Sequence, residues 1–202
     1  MQNELIDISL KPIQIFLDAV DIVLNSNTFL LQFDLNTEST TENILNFINS
    51  QSFKNQIIHQ DKERKWFNIH YFDYKTELYK IKSGSILKEE FELTIIEIVD
   101  KKSDYLAAFL TADATKGRFR SYYDEQINIE NATEIVNNFV SFLSPKNYWK
   151  LFFVAPNFLK QTNEKYSKNE NLRYFEGING NDTATIILCK NTGFLLLTNG
   201  CS

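Results

Sequence analysis

The sequence predicts an α+β fold, a mostly antiparallel multi-stranded sheet covered by about three helices. Three observations predict it. Near the N-terminus and again around residue 135, apolar residues recur at the helical period. From residue 66 onward the apolar period is mainly two, the period of strands. Clusters of Gly, Ser, Asn and Asp separate those segments at the spacing of hairpins and short turns. A chain of 202 residues, 43% of them hydrophobic and 17 of them Phe, has ample material for one core. One α+β domain over residues 1–202 is expected.

Pro12 suits the first turn of a helix, and Ile13, Phe16, Leu17, Val20, Val23 and Leu24 make one apolar stripe along it. Asn25-Ser26-Asn27 ends that helix. In residues 28–35, Phe29, Leu31, Phe33 and Leu35 lie opposite Gln32 and Asp34, the pattern of a half-buried strand. Ser39 and Glu42 form a capping box for a helix carrying Ile44, Leu45 and Ile48. That helix is expected to continue, past a break near Ser52, to Ile57 and Ile58.

Residues 66–74, 77–82, 91–99 and 105–112 read as successive strands. The last is apolar on both faces and is expected at the centre of the sheet. Residues 117–123 read as a further short strand. A third helix has Asn131 as its cap and Glu134 at the third position, with Ile135, Phe139, Phe142 and Leu143 facing the core and Pro145 stopping it. Residues 149–155 read as a buried strand ended by Pro156, and residues 172–178, 184–189 and 194–198 as the closing strands. The helices are expected on one face of an antiparallel meander.

Charge and motifs narrow the function classes. The formal net charge is −5. Nucleic-acid affinity rests on neutralising phosphates, so an acidic chain is not expected to bind nucleic acid generally; it suits a basic protein partner. The segment Met1 to Asp7 carries acids where a signal peptide needs bases, and no apolar run approaches membrane-spanning length. A cytoplasmic protein without membrane attachment is therefore expected. Two cysteines, Cys189 and Cys201, make neither a disulfide framework nor a four-cysteine zinc site. No H-E-x-x-H, C-x-x-C, calcium-loop, G-x-S-x-G or glycine-rich phosphate motif occurs, so no metal, cofactor or catalytic residue is assigned.

The segment richest in chemistry is residues 116–123. On a strand, Lys116, Arg118, Arg120 and Tyr122 project from one face, and the planar arginine forks suit carboxylate or phosphate. Such a row serves as an anion site, as a dock for an acidic partner, or as a solvated strand face that blocks edge pairing. His70, between Ile69 and Tyr71, reads as a general base or as a histidine bonded within the sheet; His59 reads as a helix-end cation. Tyr71-Phe72-Asp73 with Leu78 resembles a stretch of the triphosphate-tunnel proteins. Residues 7–11 depart from the E-x-E-x-K strand of that family, and no assignment to it follows.

The expected function is that of a non-catalytic intracellular binding protein recognising a protein partner. In general character (small, acidic, rich in aromatics) the chain is similar to bacterial immunity proteins that block a toxin. The alternative is a small enzyme or ligand carrier that holds an anionic small molecule near the basic strand, with His70 or Tyr122 assisting. The sequence leaves oligomeric state and strand order open.

Overall fold

The computed structural model describes residues 5–48, 50–64, 95–112, 121, 125–146, 148–154 and 183–198. These form α1 (Lys11–Leu24), β1 (Phe29–Asp34), α2 (Thr40–Ile48), α3 (Gln51–Arg64), β2 (Ile95–Ile98), α4 (Lys102–Thr111), α5 (Ile129–Leu143), β3 (Trp149–Val154), β4 (Thr183–Cys189) and β5 (Thr192–Thr198). The α+β class stands. The strands make one sheet in the order β1-β5-β4-β3-β2, and every neighbouring pair is antiparallel. β2 to β5 thus run as a meander, and β1 joins it beside β5. Lys190 and Asn191 alone separate β4 from β5, closing a tight hairpin in which Cys189 pairs Thr192.

The sheet's two faces carry two separate cores. On one face Leu30, Leu151, Ile187, Phe194 and Leu196 meet α1, α4 and α5. On the other, Phe29, Leu31, Phe33, Phe152, Ile186, Leu195 and Leu197 meet Ile44, Phe47, Phe53 and Ile57 of α2 and α3. Helices therefore cover both faces, not the single face expected. The cause is in the strands themselves. Phe29-Leu30-Leu31 and Phe194-Leu195-Leu196-Leu197 are apolar at consecutive positions, so either face left bare would expose large side chains to water.

Residues 105–112 are expected as a central strand; 105–111 belong instead to helix α4, and Ala112 is its C-cap. Leu106, Ala107, Ala108, Phe109 and Leu110 are all buried there, because the helix is wedged between the sheet and its two neighbours α1 and α5. A helix buried all round loses the polar face that would reveal its period, and a short apolar run then reads equally as a strand. Tyr105 marks the contact with the sheet: its hydroxyl lies 3.5 Å from Thr185 Oγ1, and its ring meets Phe109 edge-on at 5.7 Å.

Two helix starts illustrate capping. Ser39 Oγ accepts from the Glu42 amide at 3.2 Å, as the capping box requires. α5 begins one turn earlier than expected. Asn128, not Asn131, is its cap, with extended backbone and its side-chain oxygen accepting from the Asn131 amide at 2.9 Å. At the α1 terminus Asn25 takes the left-handed conformation, and Asp21 then ties the corner. Its carboxylate accepts from the Thr28 amide at 2.8 Å and from Ser26 Oγ at 3.0 Å, which aims the chain into β1.

The outer edge of β1 is closed by side chains. The Gln60 amide accepts from Leu30 N and donates to Leu30 O; the Gln56 amide does the same for Gln32, at 2.8 Å each way. Both glutamines are buried, so these bonds satisfy backbone groups that would otherwise be stranded. The expected strands at residues 66–74, 77–82 and 172–178 lie outside the described residues. The expected strand over 91–99 appears as β2, Ile95–Ile98. Among the described residues no helix is long and apolar enough to cross a membrane.

Candidate functional site

Lys116, Arg118, Arg120, Tyr122 and His70 all lie outside the described residues. Within that basic segment only Ser121 is described. It is not part of a strand, and its buried hydroxyl has no hydrogen-bond partner among the described residues. His59 is exposed within α3, which runs on to Arg64 rather than ending there. Cys189 faces inward on β4. Burial pushes its thiol up to about 11, against a smaller opposing effect of a hydrogen bond with Ser144. Such a thiol is protonated and unreactive at neutral pH.

Among the described residues a groove of about 800 Å³ lies between α1 and α5. It exists because of how the two helices pack. Phe16 of α1 and Phe139 of α5 are fully buried and stack at 4.1 Å, almost parallel. This contact holds the helices together at their inner faces, and their outer faces diverge to form walls. Ile15 comes from one wall, Ile135 and Phe142 from the other, with Ile127 at an end. Ile15 is 42% exposed and Phe142 39%. Ile22, one heptad beyond Ile15 on α1, is 60% exposed. Large apolar side chains are thus exposed on both walls of the groove and further along α1.

The rim is polar and carries one acid and one base. Glu134, Asn131, Asn138 and Ser141 border the groove from α5, and Lys11 from α1. Glu130 stands exposed on the first turn of α5 and Asp18 on the outer face of α1. An apolar floor with polar, charged margins is the anatomy of a protein-binding surface.

A second hollow, of about 360 Å³, lies where β1 meets α2 and α3. Its walls are rich in polar residues, but much of their capacity is used within the fold. Asn43 accepts from the amides of Asn36 and Thr37 and donates to the carbonyls of Thr37 and Ser39. Ser50 Oγ donates to Phe47 O and accepts from Phe53 N, and Ser52 Oγ accepts from Gln56. These bonds shape the α2–α3 corner.

Phe142 was expected on the core face of its helix and instead lines the groove. Ile135 is half-buried beside it. One signal for this surface was present in α1: Ile15 and Ile22 are apolar yet fall outside the stripe that begins at Ile13. Two isoleucines seven residues apart share a helix face, and both are exposed. Among the described residues no group of three or more His, Cys, Asp or Glu side chains is arranged to hold a metal ion.

No protein-family model matches the chain, and no match was found among curated proteins or solved structures.

Proposed function

We propose that the chain is a non-catalytic binding protein and that the groove between α1 and α5 receives a basic amphipathic helix of a protein partner. The observation that carries this reading is the exposure of Ile15 and Phe142 on facing walls of one groove. A helix laid into such a groove presents apolar residues at positions i, i+3 or i+4, and i+7. α5 has 15 residues and is about 22 Å long, enough to flank roughly four turns of a partner helix. Support for a basic occupant comes from the net charge of −5 overall; the groove itself is lined by one acid, Glu134, and one base, Lys11. The mode of action is that of an inhibitor or adaptor that occupies a partner's surface, as immunity proteins do.

The test uses a synthetic Leu/Lys amphipathic helix as probe, followed by fluorescence anisotropy with the purified chain. Binding is expected, weakened about tenfold or more by Phe142→Asp, since truncating a central apolar anchor typically costs more than about 1.4 kcal/mol. A Leu/Glu helix of the same pattern is expected to bind far less. Equal binding of the Leu/Lys probe to wild type and Phe142→Asp removes the groove from the proposal. Self-association abolished by Phe142→Asp would replace the foreign helix with a second copy of the chain.

A further inference from the structure

We infer that Gln56 and Gln60 occupy a strand-addition site on β1, and that this edge is a latent pairing surface for β1 of a second copy of the chain. The surface lies apart from the α1–α5 groove, so the inference does not depend on the function proposed above.

A primary amide carries the same donor and acceptor as a peptide group. Two glutamines four residues apart on a helix are separated by about 6 Å along its axis. Two outward-facing residues on a strand are separated by about 6.7 Å. α3 therefore presents two amides at nearly the spacing at which a neighbouring strand would present its peptides. The bonds follow the pattern of a ladder: Leu30 exchanges N–H and C=O with Gln60, and Gln32 exchanges both with Gln56. Phe29, Leu31 and Phe33, which alternate with them, turn their backbone groups toward β5, with Leu31 opposite Leu195. The helix is a surrogate sixth strand made of side chains.

The edge beneath it is self-complementary. If two β1 strands pair antiparallel about a two-fold axis at Leu31, Leu30 of each copy stands opposite Gln32 of the other. The resulting four bonds satisfy the same backbone groups that the glutamines satisfy now. Phe29, Leu31 and Phe33 would extend the apolar face from one copy to the next. A strand of this composition with an open edge is a template for association, and proteins normally cover such edges. α3 is held by Phe53 and Ile57 packed on the sheet together with these two amides.

The test compares wild type, Gln60→Ala and Gln56→Ala/Gln60→Ala by light scattering over a concentration series, with hydrogen exchange at the amides of Leu30 and Gln32. The expected result is a graded gain: the double variant forms a dimer at concentrations where wild type does not, Gln60→Ala does so more weakly, and both amides are protected in the dimer. Variants that keep the wild-type association state overturn the inference, whether or not those amides open to exchange. So does a dimer in which the two amides exchange freely, because its contact lies elsewhere. Loss of the fold in the single and the double variant alike also overturns it, by making the glutamines struts of the fold rather than a cover over an edge.

Discussion

Gly193 tests the packing argument most sharply, because two effects of known sign oppose each other there. Gly193 lies on β5 directly opposite Phe33 of β1. A methyl group at Gly193 would sit 2.7 Å from Phe33 Cε1 and closer still to Cε2 and Cζ. The Phe33 ring therefore lies over the glycine, filling the space its missing side chain leaves, as aromatic residues do over glycines in sheets. That ring is only 5% exposed and stacks on Phe47 at 5.0 Å, which in turn meets Phe53 edge-on at 5.5 Å. It cannot retreat without disturbing the core shared with α2 and α3. With no ring present, Gly193→Ala is expected to stabilise by about 0.5–1 kcal/mol, from reduced freedom of the unfolded chain. With the ring present, overpacking is expected to cost about 1–3 kcal/mol instead. The sum is a coupling of about 1.5–4 kcal/mol between positions 33 and 193, well above the roughly 0.5 kcal/mol within which independent sites add. The assay is a double-mutant cycle of Gly193→Ala and Phe33→Ala by urea unfolding, read at constant m. Gly193→Ala alone should lower the midpoint, and the same change in the Phe33→Ala background should raise it. If Gly193→Ala lowers stability equally in both backgrounds, the ring is not the obstacle and the account of this corner is wrong.

Asn128→Ala removes the α5 cap and is expected to cost about 1 kcal/mol, while Asn131→Ala, tested beside it by thermal unfolding, should change stability by less. Stability should also fall on the alkaline side. Burial raises the Cys189 thiol to about 11 and raises the Tyr105 phenol, the latter opposed by its hydrogen bond with Thr185. Both groups are neutral when protonated. Above about pH 8.5 the unfolded chain therefore releases a thiol proton that the folded chain keeps, and stability declines as pH rises toward 11. Urea midpoints between about pH 7.5 and about pH 10 should show that decline, and Cys189→Ala should flatten it; an unchanged slope in Cys189→Ala would mean that the thiol does not titrate as its burial implies.

Much of the fold was legible in order along the chain, because local signals and tertiary environment agree. α1 follows its apolar stripe, and Ser39 with Glu42 starts α2 where the capping box places it. β3, β4 and β5 each fall within a residue or two of where alternation and turn residues put them. These signals work because a helix or strand with one wet face writes its period into the sequence. α4 fails the same test for the same reason. It has no wet face along Leu106 to Leu110, so only its paired alanines and Asp104 in the first turn spoke for a helix.

The candidate groove was less legible than the fold. Ile15 and Ile22 stood off the stripe of α1, a visible anomaly, but Phe142 reads as core until α1 and α5 are seen to meet through Phe16 and Phe139 and to part at their outer faces. By itself the sequence determined the α+β class, the net acidic charge, the start of α2 and the approximate spans of α1 and β3 to β5, since those elements depend on residues within a few positions of one another. Only the tertiary structure decided the strand order, the cover on both faces of the sheet, and the partnership of Gln56 and Gln60 with β1. Each of those depends on contacts between residues distant in sequence, 24 and 30 apart for the glutamine bonds, whose energies become available only when the chain has folded back on itself.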